Sequence, residues 1–304
     1  MPKAFHQPVM LLEVLSYLNI QPDNFYLDAT FGRGGHTREI INQGGKVVAF
    51  DQDLEAVTFA QQEFTNEIKS GQLTIIHANF DELEAKISTL PLGQTETAIF
   101  TGILFDFGTS QDQIRAPQRG FSFDHLQAPL DMRMNQEFSV TAADLLTILS
   151  KKQLESIFIE LGGENRTVAQ KVAKAIDNYR KPDRSRRIET VEQLVQIIER
   201  YQQRHSRLHP ATKIFQALRI AVNSELECIK TALPQALKLL KSKGRIITIA
   251  FHQGEDVIVK HQFSDWEREG LGKKLFDKPL KASIEEVNKN PSARSAKLRA
   301  FEKK

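Results

Sequence analysis

One cysteine, Cys228, stands in 304 residues. No internal disulfide can form, a pattern that suits the cytosol. Set in "SELECIK", Cys228 reads as a helix residue and not as a nucleophile. Long apolar runs are missing too: none approaches the roughly 20 residues that a membrane-spanning helix needs. The opening "MPKAFHQPVM" lacks the apolar core and cleavage site of a secretory signal. The expectation is a cytoplasmic protein with no membrane contact. A strong charge of one sign is also lacking. The formal net charge is only +3, so the whole-chain balance argues little for nucleic acid. Internal repeats and low-complexity tracts are absent, which removes solenoids and flexible arrays. Metal-binding patterns are sparse. His205 and His209 are spaced i, i+4 but sit among arginines, with no acid or cysteine near. His252, Glu255 and Asp256 read as a loop at the carboxyl edge of a sheet, so no metal is expected.

What is present is an ordinary globular composition, 40% hydrophobic and 26% charged, on a chain long enough for one large or two smaller domains. Basic residues cluster in 179–187, 200–213 and 293–304, which together point to a polyanionic partner. Short β-branched and aromatic segments at 25–31, 46–51, 73–80, 98–107 and 245–252 predict buried strands. Helical patterns separate the early ones at 36–43, 53–69 and 81–89, so the reading is βαβ units around a parallel sheet. The rhythm stops after the fourth strand. Residues 113–211 carry helical patterns at 151–160, 164–179 and 189–204 and no convincing strand, which predicts an inserted helical subdomain. A helix at 224–241 returns the chain to the sheet. Weak strands at 274–281 and 297–302 suggest a closing hairpin.

"DATFGRGGH" (28–36) places Gly32, Gly34 and Gly35 between the first strand and its helix. Glycine there allows positive φ and close approach of a ligand to helix N–H groups. Asp51 ends the second strand about 20 residues on, where an acid accepts from ribose hydroxyls. The two together predict a nucleoside-containing cofactor. A dinucleotide site would carry G-x-G-x-x-G; the stretch Gly32-Arg33-Gly34-Gly35-His36-Thr37-Arg38 lacks its third glycine. Asp28 beside the turn suits a cationic amine, such as that of S-adenosylmethionine, better than a phosphate. Phe80, at the expected end of the third strand, either flanks an adenine or packs in the core.

Longer motifs carry a resemblance over nearly the whole chain: "HQPVML" (6–11), "DATFGRGGHT" (28–37), "FDFGTSQDQI" (105–114), "RGFSF" (119–123), "PLDMRM" (129–134), "PATKIFQALRIAVNSELE" (210–227), "AFHQGED" (250–256) and "PSARSAKLR" (291–299). The sequence resembles the bacterial small-subunit ribosomal RNA cytosine-N4 methyltransferases, the methyltransferase H family. The resemblance implies a class I methyltransferase fold, α/β with a Rossmann-like, mostly parallel sheet and an inserted helical subdomain. It implies S-adenosyl-L-methionine as cofactor and, as substrate, a cytidine in the decoding region of 16S ribosomal RNA, within the small ribosomal subunit. Its cofactor contacts fall on Gly34, Gly35, His36, Asp51, Phe80, Asp106 and Gln113. The cofactor-binding domain is expected at 1–112 and 212–304, and a helical RNA- and substrate-recognition domain at 113–211. Departures exist. The family's D-L-G-V-S-S-P-Q is Asp106-Phe107-Gly108-Thr109-Ser110-Gln111-Asp112-Gln113 here, its Y-G-E-E is Gly162-Gly163-Glu164-Asn165, and its S-F-H-S-L-E-D is 250–256.

Methyl transfer to an exocyclic amine needs alignment and an acceptor for the amine's proton, not a covalent cysteine. Asp106 and Asp131 are the catalytic candidates, with a salt bridge to Arg133 as the competing role for Asp131. Arg119, Phe121 and Phe123 either stack on an extruded base or anchor the insertion. Gln216, Arg219 and Asn223 share one helix face, turned either to RNA or to solvent. Two other readings stay open: a nicotinamide-dependent oxidoreductase, and a non-catalytic RNA-binding ribosome-assembly factor derived from the family.

Overall fold

The computed structural model describes residues 8–91, 98–180, 186–201 and 209–304. The chain divides into two compact units, Met1–Gly108 with Leu226–Lys304, and Thr109–Glu225.

Among the described residues the first unit has eight strands: β1 (Phe25–Asp28), β2 (Lys46–Asp51), β3 (Leu73–His77), β4 (Phe100–Asp106), β5 (Leu240–Ala250), β6 (Gly272–Lys274), β7 (Leu280–Lys281) and β8 (Lys297–Lys303). The sheet order is β3-β2-β1-β4-β5-β8-β6, with β7 also on β8. The first five strands pair parallel, and β8 runs antiparallel to β5. Strand residues alternate between faces. Leu27, Val48, Phe50, Ile103 and Phe105 enter one apolar core, while Tyr26, Val47, Ala49, Leu104 and Ile247 enter another. Both faces are covered, which is why β2 reads as a nearly unbroken apolar run. The α/β fold class expected from the sequence is the one observed.

Differences from the expected elements have local causes. β3 stops at His77, because Asn79 opens a 3-10 turn at Phe80–Glu82. The helix pattern at 53–69 breaks at Phe64, whose ring turns into the core and edge-packs on Phe31. The stretch 252–256, expected as a loop, instead starts the helix Gln253–Arg268: His252 accepts from the amide of Gly254, and the Glu255 carboxylate accepts from the amides of Phe251 and His252. The expected hairpin becomes an edge: β6 and β7 lie in succession along β8, separated from it in sequence by the helix Ile284–Lys289.

The second unit is helical and has its own core. Its helices Ala142–Ile148, Lys151–Glu160, Arg166–Arg180, Val191–Glu199 and Thr212–Asn223 pack around Leu146, Phe158, Val172, Leu194 and Leu218. Three begin with reciprocal caps, Thr141 with Asp144, Ser150 with Gln153, and Thr190 with Gln193. The helix Thr212–Asn223, placed with the sheet domain on sequence, belongs to this unit. Its Ile214, Phe215, Leu218 and Val222 complete the helical core.

Candidate active site

Three acids end three adjacent parallel strands: Asp28 on β1, Asp51 on β2 and Asp106 on β4. In doubly wound sheets ligands bind beyond these carboxyl ends. The glycine turn rises between the first two. The Phe31 amide bonds the Phe50 carbonyl, and the Gly34 amide closes the turn onto the Phe31 carbonyl. Gly34 has φ +69°, and a Cβ on it would sit 2.6 Å from the Phe31 ring and 2.7 Å from Phe64. A Cβ on Gly35 would press on Pro8 at 3.1 Å. The need for glycine at these two positions is therefore met inside the protein. Gly32 differs: φ is +56° and nothing lies within 4 Å of its would-be Cβ.

The turn is tied to the acids. The amides of Gly32 and Asp53 each donate to one Asp51 oxygen at 2.8 Å. Thr37, in the helix Gly35–Asn42, donates its hydroxyl to Asp28 at 2.7 Å, and the Thr30 amide donates to the same carboxylate at 3.2 Å. The Asp106 amide bonds the Thr30 hydroxyl oxygen. Burial pushes Asp28 and Asp51 each up to about 6, against these hydrogen bonds, which pull the other way. Asp106 is pushed well above the usual carboxylate range by burial and then by the negative charges of Asp28 and Glu255. Its Oδ1 is buried with no hydrogen-bond partner. Its Oδ2 lies 3.9 Å from His36 Nδ1, while His36 Nε2 meets the Val9 carbonyl at 3.0 Å. Since Nε2 faces a carbonyl, it carries the proton.

Three carboxylates with raised pKa values thus stand on neighbouring strand ends, with the open Gly32 beside them. The model of the MraW methylase family matches residues 3–304. The chain belongs to this family. Two relatives cover almost the whole chain, both named ribosomal RNA small subunit methyltransferase H. The protein of Coprothermobacter proteolyticus is 40% identical over 300 residues, 98% of this chain and 96% of its own. That of Dictyoglomus thermophilum is 38% identical over 305 residues, 99% and 98% of the two chains. Among solved structures, an rRNA methylase from Streptococcus thermophilus is 11% identical and covers 99% of both chains, with a TM-score of 0.44.

In this methylase Phe80 belongs to the sheet unit, and Gln113 and Asp131 belong to the helical unit. Phe80 sits on the 3-10 turn, half-buried, edge-on to Phe105 and Phe107 at 5.9 Å each. Gln113 lies in the helical unit, where it and Ser110 cap the short helix Gln111–Arg115 reciprocally. The altered stretch 109–113 is thus locally well formed. Asp131 does not serve as a base candidate here. Arg133 grips both its oxygens at 2.8 and 2.7 Å. Burial raises its pKa, but the hydrogen bonds and charge of Arg133 outweigh that and hold it below the usual range. A carboxylate so paired is a weak proton acceptor.

The polar stripe also proves internal. The Asn223 carboxamide accepts from the Met134 amide and donates to the Met132 carbonyl, at 2.7 and 2.8 Å. Arg219 forks onto Glu225 at 2.8 and 2.9 Å. Arg119 is buried and donates to the carbonyls of Arg133 and Met134. Phe123 stacks on His209 at 4.2 Å and packs edge-on against Phe215. All of these partners lie within the helical unit, so the contacts tie the segment to that unit's own core.

The basic runs need the same correction where they are described. Arg180 donates to the carbonyls of Leu146, Thr147 and Leu149, closing a helix end. Arg187 pairs with Asp144, and Arg186 lies over Tyr179 at 4.0 Å. On β8, Lys297 and Arg299 both hold Asp256, and Lys303 donates to the Leu237 and Leu240 carbonyls. Internal capping and pairing explain these cations without a polyanion. Arg184, His205 and the rest of 181–185 and 202–208 lie outside the described residues. Sequence reasoning gave no role to Thr30 and Thr37, which bond the strand-end acids, and read Glu255 as part of a loop where it caps a helix. The H-x-x-E spacing of a capping pair was the available signal for Glu255.

Proposed function

We propose that this protein transfers a methyl group from S-adenosyl-L-methionine to the exocyclic N4 of a cytidine in the decoding region of 16S ribosomal RNA, within the small subunit. The supporting observation is the acid row at the ends of β1, β2 and β4, set in a chain of the MraW methylase family. The residues fit such a cofactor by their chemistry. Asp51 accepts from ribose hydroxyls. Asp28 and Asp106 offer negative charge to an ammonium group. The amide of Gly34 closes the turn onto the Phe31 carbonyl, and those of Gly35 and His36, at the start of a helix whose Gly34 cap offers no side chain, are the donors offered to the cofactor. Phe80 flanks its base, and Gln113 is assigned to the same ligand. The bound cofactor supplies an electrophilic methyl on a sulfonium. Asp106 does the chain's part: its carboxylate, 22% exposed, accepts a hydrogen bond from the target amine, and its raised pKa suits it to take the proton as charge builds on nitrogen. The helical unit is assigned to RNA and substrate recognition. Thr37, where a dinucleotide turn has glycine, carries a hydroxyl bonded to Asp28, which disfavours a nicotinamide cofactor.

Mass spectrometry of nucleosides from 16S RNA tests the reaction directly. Purified protein, S-adenosylmethionine and small subunits from cells lacking the enzyme should yield N4-methylated cytidine. Methylation elsewhere, or none while S-adenosylhomocysteine binds, would overturn it.

The carboxylates also predict a pH dependence. Asp28 and Asp51 stand near 6 in the folded protein, above the roughly 4 of an unfolded aspartate. An acid raised on folding stabilises the fold most below its unfolded pKa, and that contribution is lost as pH rises through about 6. A bound ammonium group reverses the preference by holding the carboxylates ionised. The rise in Tm caused by saturating S-adenosylhomocysteine should therefore be smaller at about pH 5.5 than at about pH 7.5. Equal rises at both pH values would remove these acids from the amine's surroundings.

A further inference from the structure

Resting on the reading of ribosomal RNA as substrate, we infer that the outward face of the helix Arg166–Arg180 docks on the phosphate backbone of that RNA.

The helix has two unlike faces. Ala169, Val172, Ala173 and Ile176 are buried in the core of the helical unit, which turns the opposite side to solvent. On that side Thr167, Lys171, Lys174 and Asn178 follow at i, i+4, i+7 and i+11, with Arg166 and Gln170 along the edge. All six are exposed. Among the described residues Arg166, Lys171 and Lys174 have no ion-pair or hydrogen-bond partner for their charged groups. The one acid of the helix, Asp177, is held by Arg180 at 3.3 Å. Arg180 also bonds the Leu146, Thr147 and Leu149 carbonyls, which brings the start of the helix Lys151–Glu160 alongside. Lys151 and Lys152 there are exposed and likewise unpaired. The acids of that helix are Glu155 and Glu160, so the five unpaired cations of the two helices outnumber them.

These cations stand where folding alone disfavours them. A helix N-terminus carries partial positive charge and is stabilised by acids. The helices Ala142–Ile148 and Val191–Glu199 follow that rule, with Asp144 and Glu192 in their first turns. The helices Lys151–Glu160 and Arg166–Arg180 have no acid in the first turn and open on Lys151, Lys152 and Arg166 instead. An external anion turns the same placement into an advantage, since cation and helix dipole then act on it together.

The pattern suits a polymer of phosphates better than one small anion. Arg166 and Lys174 are about 12 Å apart along the axis at roughly 1.5 Å per residue, a length that spans several phosphates of a strand. Thr167, Gln170 and Asn178 offer neutral donors and acceptors to phosphate and sugar oxygens among the cations. None of the six side chains is aromatic, so the face fits backbone contact and not base stacking.

The experiment is equilibrium binding of the full-length protein to small subunits from cells lacking the enzyme, and to protein-free 16S RNA, over about 50–200 mM salt. S-adenosylhomocysteine affinity is measured on the same preparations. Arg166→Gln, Lys171→Gln and Lys174→Gln together should weaken binding about tenfold or more at about 100 mM salt and reduce the log–log salt slope by about 2. S-adenosylhomocysteine affinity should not change, because Asp28, Asp51 and Asp106 belong to the other unit. Arg166→Lys, Lys171→Arg and Lys174→Arg together should keep the wild-type slope, because a phosphate reads charge. A control with the same loss of charge at exposed lysines of the other unit, Lys69→Gln, Lys243→Gln and Lys278→Gln, should keep it too. An unchanged slope in the first variant, or an equal fall in the control, would overturn the inference and leave the methylation reading intact. An effect confined to assembled subunits would also overturn it and give the face to a ribosomal protein. Failure of wild type to bind small subunits or 16S RNA at all would bring down the substrate reading, and this inference with it.

Discussion

Asp106→Asn is expected to lower the methylation rate on small ribosomal subunits by about 10²–10⁴-fold, the usual contribution of a positioned proton acceptor. The same change is expected to leave the thermal stability of the cofactor-free protein equal or higher. The two halves have one cause. Asp106 is buried beside the negative charges of Asp28 and Glu255, so its ionised form is disfavoured in the fold. Its contribution to stability is full when it is protonated and is lost as pH rises through its elevated pKa. A neutral amide of the same shape removes that cost at neutral pH but accepts no proton. Single-turnover methylation and a melting curve at about pH 7.5 check both arms. Activity close to wild type would take the proton-acceptor role from Asp106, and a sharp fall in Tm would contradict its being a strained carboxylate.

Asn223→Ala should separate the two units functionally. Asn223 is 1% exposed and pins residues 132–134 through the Met134 amide and the Met132 carbonyl, besides bonding the Arg219 carbonyl. The pinned backbone is unfavourable by itself: Met132 is fully buried with φ +62°, a region that non-glycine residues avoid. Alanine removes these bonds and leaves main-chain groups to be satisfied elsewhere, at a cost on the order of 2–4 kcal/mol. Methylation of small subunits should fall at least tenfold as the segment 119–134 loosens. S-adenosylhomocysteine affinity should change little, since Asp28, Asp51 and Asp106 belong to the other unit. Denaturant unfolding, calorimetry and a methylation assay on one preparation check the three expectations. Intact stability would show that the carboxamide does not hold the segment.

The parallel sheet was legible because burial on both faces leaves a plain signature. "KVVAFD" and "GILFDF" have little polar surface to confuse the pattern. Asp51 and Asp106 were legible for a related reason: an acid closing an apolar strand must sit at its carboxyl end, where such sheets bind ligands. The short helices were harder. Leu11–Leu18 and Ala142–Ile148 span too few turns for periodicity to stand out, and their stability comes from packing. The helix Gln253–Arg268 was hidden because its opening residues read as a polar loop until His252 and Glu255 are seen to cap it.

By itself the sequence determined the strand positions, the glycine turn, the acids at the strand ends and the family, because each depends on short-range pattern or on long ordered motifs. Only the tertiary structure decided what each polar side chain is for. Arg119, Asn223, Arg180, Arg299 and Asp131 look on paper like groups awaiting RNA or substrate, yet each finds its partner within the fold. Asn79 looks unremarkable on paper, yet its Oδ1, like that of Asp106, is left buried without a partner. The physical reason is the cost of burying an unpaired polar group. That cost depends on distances between residues far apart in the chain, such as 132 and 223, which no local pattern encodes.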